Sequence, residues 1–211
     1  MSAERRRALH GLYALTDSGL QRPQDLPTRV EAVLSGGAHL LQYRDKSARP
    51  QRRQEALQLA ALCRAYGAVF IVNDDVELAV TVAADGVHLG RDDLSLSAAR
   101  ARLGPAAIIG ISCYNELGRA RAAAAGGADY VAFGSVFPSP TKPRAVHAPL
   151  ELLAAAREVL SLPIVAIGGI TPDNARRVVA TGVDAVAVVR GVFGVPDPAS
   201  AARRVACLFD D

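Results

Sequence analysis

Val69-Phe70-Ile71-Val72-Asn73-Asp74-Asp75-Val76-Glu77-Leu78-Ala79 is the stretch on which the fold turns. Four apolar residues without a break suit a strand covered on both faces, and such burial is usual in parallel sheets. The polar run then stops the strand. Asp75 stands directly before Val76-Glu77-Leu78-Ala79, where it makes a natural helix N-cap. Strand, polar turn and helix start together make one βα unit.

The unit recurs along the whole chain. Strand candidates are Leu12–Thr16, His39–Tyr43, Val69–Asn73, Val87–Leu89, Ile108–Ser112, Tyr130–Phe133, Ile164–Ile167 and Ala185–Val189. Between them lie helix-period segments at Leu26–Leu34, Gln51–Tyr66, Val76–Val82, Ser97–Leu103, Leu117–Ala125, Leu150–Leu160, Asn174–Ala180 and Pro198–Phe209. Asp25, Asp75, Ser97, Asn115 and Asp173 are placed to cap helices, and glycines close several of them. The phrase Gly36-Gly37-Ala38-His39 returns as Gly126-Gly127-Ala128-Asp129 and as Gly182-Val183-Asp184, which reads as a repeated helix-to-strand turn. Eight such units in 211 residues predict a single-domain α/β fold, a (β/α)8 TIM barrel at the lower end of its size range. A doubly wound open sheet fits less well, because no G-x-G-x-x-G follows the first strand. No linker divides residues 1–211, and residues 1–10 read as a flexible basic arm.

Half of the residues are apolar and the net charge is only +3, so one sizeable core is expected and bulk charge points to no polyanion. Arg5-Arg6-Arg7 lacks the aromatic or groove-reading context of a nucleic-acid binder and reads as a solvated terminus. Cys63, Cys113 and Cys207 have no zinc-type spacing and read as reduced core residues. No signal-type start or membrane-length apolar run is present. A soluble, cytoplasmic protein is expected, with small-molecule partners, no nucleic acid and no membrane; a homodimer is compatible with the sequence.

In a barrel the chemistry sits at the C-terminal ends of the strands. Strand 2 brings Gln42, Arg44 and Lys46 there; strand 3 brings Asn73 and Asp74, strand 4 Asp92 and Asp93, and strand 5 Ser112. Strand 6 leads into Ser139-Pro140-Thr141-Lys142, strand 7 into Gly168-Gly169, and strand 8 into Val189-Arg190-Gly191. Carboxylates beside Lys and Arg are what a Mg²⁺–diphosphate site needs, since Mg²⁺ takes one or two carboxylates with water and substrate phosphate. Glycine turns after strands 7 and 8 suit a second phosphate. Each piece alone has a plainer reading. Asn73-Asp74-Asp75 can be a strand stop and cap, Asp92 and Asp93 a helix start, and His88 and His39 satisfied core histidines. The combination at successive strand ends is what argues for a site.

These residues resemble the thiamine-phosphate synthase family. The resemblance is carried by Gln42-x-Arg44-x-Lys46, Phe70–Ala79, Gly86-Val87-His88-Leu89-Gly90-Arg91-Asp92-Asp93, Gly110-Ile111-Ser112, Pro138–Lys142 and Ala166–Ile170, in order along nearly the whole chain. It implies a transferase joining a pyrimidine diphosphate to a thiazole phosphate. Gln42, Arg44, Lys46, Asn73, Ser112 and Lys142 would hold the pyrimidine diphosphate. Lys142, Arg44, Lys46 and Ser112 would act on the reaction, and Asp74 and Asp93 would ligate Mg²⁺. Ser139, Thr141, Gly169, Val189 and Arg190 would hold the thiazole phosphate. The implied mechanism is dissociative: diphosphate leaves, the aminopyrimidine stabilises the resulting cation, and the thiazole nitrogen captures it. The family commonly has Thr at Ser139, Gln at Arg91 and Ser at Arg190, so Arg190 either clamps the phosphate or turns outward. Competing readings are a thiazole tautomerase and a non-catalytic thiazole- or thiamine-phosphate-binding regulator, neither of which needs Asp74, Asp93 and Lys142 together.

Overall fold

The computed structural model describes residues 9–47, 49–138 and 146–210. Arg5-Arg6-Arg7, Ser139, Thr141 and Lys142 therefore lie outside the described residues. Eight strands close into a barrel in chain order: β1 Gly11–Leu15, β2 Ala38–Tyr43, β3 Val69–Asn73, β4 Gly86–Leu89, β5 Ile108–Tyr114, β6 Tyr130–Gly134, β7 Ile164–Ile167 and β8 Ala185–Val188. Neighbours are parallel throughout, and β8 pairs with β1 to finish the ring. The intervening helices are α1 Leu26–Ser35, α2 Arg52–Ala65, α3 Val76–Thr81, α4 Leu96–Leu103, α5 Leu117–Ala125, α6 Leu150–Val159 and α7 Ala175–Val179. A short α8, Arg190–Phe193, precedes α9, Pro198–Ala206. Single 3-10 turns stand at Pro23–Asp25 and Cys207–Phe209.

Strand alternation divides the apolar residues into two cores. One cluster joins Tyr13, Leu15, Leu40, Ile71, Ile108, Tyr130, Val165 and Ala187, with no helical member, and so fills the barrel. The other contains Leu12, Ala14, Leu41 and Val72 with the inner faces of the helices, such as Val30, Leu59 and Leu153. The expected burial of the strands on both faces follows from this arrangement. Gly110 on β5 faces Tyr130 on β6 in the strand register. A Cβ at Gly110 would lie 2.0 Å from the Tyr130 ring, so glycine is what lets that large side chain lie inside the barrel.

The repeated helix-to-strand phrase has a structural use. Asp129 and Asp184 of the phrase, and Asp85, which follows Ala83-Ala84 outside it, each precede an even-numbered strand and accept the backbone N–H of the strand before, from Ile109, Ile164 and Phe70 at 2.7–2.8 Å. Arg100 and Arg157 brace Asp129 and Asp184 in turn. These bonds satisfy N–H groups at the strand starts, at the end of the barrel opposite the rim. His39 occupies the corresponding place in the first copy of the phrase. It is exposed, which corrects its reading as a core histidine: it stands at the barrel end and its side chain points to solvent. Cys207 is likewise exposed, on the terminal 3-10 turn, whereas Cys63 and Cys113 are buried and free as expected.

The caps hold in part. Asp75 accepts from Leu78 N–H at 2.9 Å, as its position predicts. For α4 the cap is Ser95, not Ser97, because the helix begins one residue earlier, at Leu96. Asp25 and Asp173 pair with Arg22 and Arg204 rather than capping, and α5 begins after Glu116, not after Asn115. Asp197, unremarked in the sequence, caps α9 through Ser200 N–H.

Candidate active site

The rim formed by the C-terminal strand ends collects the polar residues singled out above. At the end of β3, Asp74 takes a left-handed backbone, φ 64°, and its N–H donates to the His88 carbonyl at 2.9 Å. That turn gives the two adjacent aspartates different tasks. Asp75 caps α3 and pairs with Arg52 at 3.3 Å. Asp74 meets Asp93, whose Oδ2 also accepts the Gly90 N–H at 2.6 Å. Burial, and then the hydrogen bond and charge of Asp93, push the Asp74 carboxyl up to about 6, while Lys46, with Nζ 4.0 Å away, opposes the shift. Two carboxylates from different strands thus converge beside a cation. Among the described residues no group of three or more His, Cys, Asp and Glu could hold a metal, so protein ligands to a cation at this point would be limited to the pair, with water and substrate oxygens supplying the rest.

The segment carrying Arg44 and Lys46 is held from behind. Arg44 N–H donates to Thr16 Oγ1 at 2.8 Å, tying the ends of β1 and β2, and its guanidinium lies 3.6 Å from Asp17. Asp45 turns away from the rim to Arg49 at 2.7 Å and to Ser47 N–H at 2.8 Å. Burial alone would push the Asp45 carboxyl up; the bonds from Ser47 and Arg49 outweigh it and hold the group down at about 2. Tyr43 adds a bond to Glu55, which also pairs with Arg49. Arg44 and Lys46 are therefore presented by an ordered segment.

Gln42, almost fully buried, donates to Tyr13 Oη at 2.8 Å. Tyr13 meets Tyr130 at 2.9 Å, Tyr130 meets His88 Nδ1 at 2.9 Å, and His88 Nε2 meets Ser112 Oγ at 2.9 Å. His88 is thus the satisfied core histidine that its position suggested. Arg119 on α5 donates to the carbonyls of Ser112 and Gly90. Arg91, expected to be peripheral, is exposed, lies over the Tyr114 ring and pairs with Glu116.

At the ends of β7 and β8, Gly168 and Gly169 have φ 115° and 61°. A Cβ on Gly169 would come within 2.5 Å of the Pro138 carbonyl, so the turn packs against the chain leading into residues 139–145. Asn174 fastens it by donating to Gly169 O at 3.0 Å and accepting from Thr171 N–H at 2.8 Å. β8 ends at Val188, one residue earlier than expected, and Arg190 opens a helix that the sequence did not announce. Gly191 lets that helix approach Ile170, placing Val189 and Arg190 on the neighbouring part of the rim. The Arg190 side chain is exposed. Sequence reasoning missed Tyr13, Tyr130 and Arg119; strand alternation could have placed both tyrosines inside the barrel, but no motif marks Arg119.

A closed ring of eight parallel strands with its polar residues gathered on one rim defines the (β/α)8-barrel class. The family model described as thiamine monophosphate synthase matches residues 12–192. Thiamine-phosphate synthase of Thioalkalivibrio sulfidiphilus is 60% identical over 203 residues, covering 96% of both chains. The Halorhodospira halophila protein of the same name is 56% identical, covering 93% of both. A solved thiamine phosphate pyrophosphorylase from Pyrococcus furiosus superposes with TM-score 0.88 at 38% identity, covering 97% of each chain. The chain belongs to the thiamine monophosphate synthase family and is an enzyme of the transferase class. A geranylgeranylglyceryl phosphate synthase from Thermoplasma acidophilum, at 15% identity and TM-score 0.72, shares the fold alone. Among the described residues no helix is long and apolar enough to cross a membrane.

Proposed function

We propose that this protein is a cytoplasmic thiamine-phosphate synthase. It condenses 4-amino-2-methyl-5-(diphosphooxymethyl)pyrimidine with 4-methyl-5-(2-phosphooxyethyl)thiazole, giving thiamine phosphate and diphosphate. The observation that carries this reading is the meeting of Asp74 and Asp93 next to Lys46 on the rim that also holds Arg44, Asn73 and Ser112. Two hard oxygen donors side by side, one of them pushed up to about 6 by burial and then by the other's hydrogen bond and charge, fit a divalent cation. Mg²⁺ held by Asp74 and Asp93 would neutralise charge on the diphosphate and make it a better leaving group.

The side chains bind and orient. Arg44 and Lys46 face the diphosphate as it departs, where fixed cations stabilise developing charge without reorganisation. Gln42, Asn73 and Ser112 hold the pyrimidine ring. The methylene C–O bond breaks and its electron pair leaves with diphosphate. The lone pair of the thiazole nitrogen then forms the new C–N bond, so neither a nucleophilic side chain nor a proton transfer is needed. Lys142 is assigned to the same diphosphate, and Ser139, Thr141, Gly169, Val189 and Arg190 to the thiazole phosphate. Lys142→Ala tests the assignment: kcat should fall by more than the KM of the thiazole phosphate rises. Kinetics equal to the parent's would remove Lys142 from the site.

A further inference from the structure

Gln42 and Ser112 are joined through three side chains that the reaction as written leaves idle. From β2 the chain of bonds passes through Tyr13 on β1, Tyr130 on β6 and His88 on β4 to Ser112 on β5, with every link 2.8–2.9 Å. It crosses the barrel interior, and Gln42, Tyr13, Tyr130 and His88 are all buried. The His88 and Tyr130 rings are stacked with centroids 5.5 Å apart. Gly110 leaves the space that the Tyr130 ring occupies.

Proton counting gives this chain a direction. A phenol has one proton to donate and can accept as well. Tyr13 accepts from Gln42 Nε2, and the assignment that leaves no buried phenol proton without an acceptor along the chain sends its own proton to Tyr130 Oη. Tyr130 then donates to His88 Nδ1, which leaves the imidazole proton on Nε2, directed at Ser112 Oγ. Ser112 keeps its own proton for another acceptor, and Gln42 keeps its carbonyl oxygen for another donor. Burial holds both phenols far above the ordinary tyrosine range, so each keeps its proton. Reversing one end would require all five groups to turn together.

We infer that Tyr13, Tyr130 and His88 are positioning residues that fix the hydrogen-bonding sense of Gln42 and Ser112, so that the site offers one acceptor and one donor to a heteroaromatic ring bearing an amino group and a ring nitrogen. This rests on the reading above, in which Gln42 and Ser112 hold the pyrimidine diphosphate. An amino group donates to the Gln42 oxygen, and a ring nitrogen accepts from the Ser112 hydroxyl. Truncating the chain in its middle loosens both contacts at once although neither contact residue has changed.

The direct test is the His88 tautomer in the intact protein, read from ¹⁵N shifts of histidine-labelled enzyme and assigned by the signal lost in His88→Gln. The neutral Nε2–H form at neutral pH is expected; the Nδ1–H form or an imidazolium would overturn the inference. Tyr130→Phe supplies the kinetic test, with the KM of the pyrimidine diphosphate rising about tenfold and that of the thiazole phosphate unmoved. A variant with unchanged KM values, or with both shifted equally alongside a lower Tm, would reduce Tyr130 to packing and refute the role. Should Tyr130→Phe fail to fold, the tautomer decides. Absence of thiamine phosphate from reactions of the unmodified protein would instead sink the proposed function, with the tautomer still reporting on the chain.

Discussion

Arg119 Nε donates to the Ser112 carbonyl at 2.7 Å, so α5 reaches back over the end of the strand that it follows. The same guanidinium donates to Gly90 O at 3.3 Å, and the Gly90 N–H is held by Asp93. One arginine therefore ties the end of β5 to the turn that carries a proposed metal ligand. Neither bond involves a side chain of the rim, which is why no motif exposes the residue.

Arg119→Ala is expected to cost about 1 kcal/mol of stability, because it leaves two part-buried carbonyls without their charged donor. It should also raise the Mg²⁺ concentration needed for half-maximal activity. Arg119→Lys should recover only part of both, since an ammonium lacks the planar fork that spans two carbonyls. Thermal melts and Mg²⁺ titrations of the two variants check this. Parent-like Mg²⁺ dependence in Arg119→Ala would separate the residue from the acidic pair.

The pH dependence of the metal-free protein follows from Asp74. Its carboxyl rises from the ordinary 3.8 to about 6 in the folded protein, through burial and Asp93. Between those values the folded protein holds a proton that the unfolded chain has released, so this site favours the fold in acid. That contribution declines as pH rises and is gone above about 6. Asp93→Asn removes the like charge and should melt higher than the parent at neutral pH in EDTA, while losing most turnover. A lower Tm for Asp93→Asn under those conditions would contradict the repulsion.

Asp75 adjoins this pair but works as a cap. Asp75→Ala should lose about 1 kcal/mol, or about 2–4 °C of Tm in a chain of this size. Both KM values and the Mg²⁺ requirement should stay as in the parent. A shift in Mg²⁺ dependence would make Asp75 a ligand.

Arg190 is exposed at the first turn of α8, beside the glycine turn of β7. Arg190→Ala should raise the KM of the thiazole phosphate about tenfold, the effect of losing one charge-assisted hydrogen bond. The KM of the pyrimidine diphosphate should barely move. An unchanged thiazole-phosphate KM in both Arg190→Ala and Arg190→Ser would assign that phosphate to backbone donors alone.

The barrel was readable because each buried strand is a short apolar run bounded by polar residues, as at Val69–Asn73, and that pattern is local. Asp75 as a cap and His88 as a satisfied core residue were readable for the same reason. The bonds among Gln42, Tyr13, Tyr130, His88 and Ser112 were not, since they join residues up to 117 positions apart that only closure of the barrel brings together. His39 and Cys207 were misjudged because neighbouring apolar residues hide which face a side chain takes at the end of a strand or on a terminal turn. The helix at Arg190 was missed because four residues show no helical period.

Release of pyrophosphate by the purified protein bears most directly on the proposed function. Protein mixed with the pyrimidine diphosphate, the thiazole phosphate and Mg²⁺ should yield pyrophosphate and thiamine phosphate in equal amounts, and excess EDTA should stop both. Undiminished turnover in excess EDTA, or pyrophosphate formed without thiamine phosphate when both substrates are present, would contradict it.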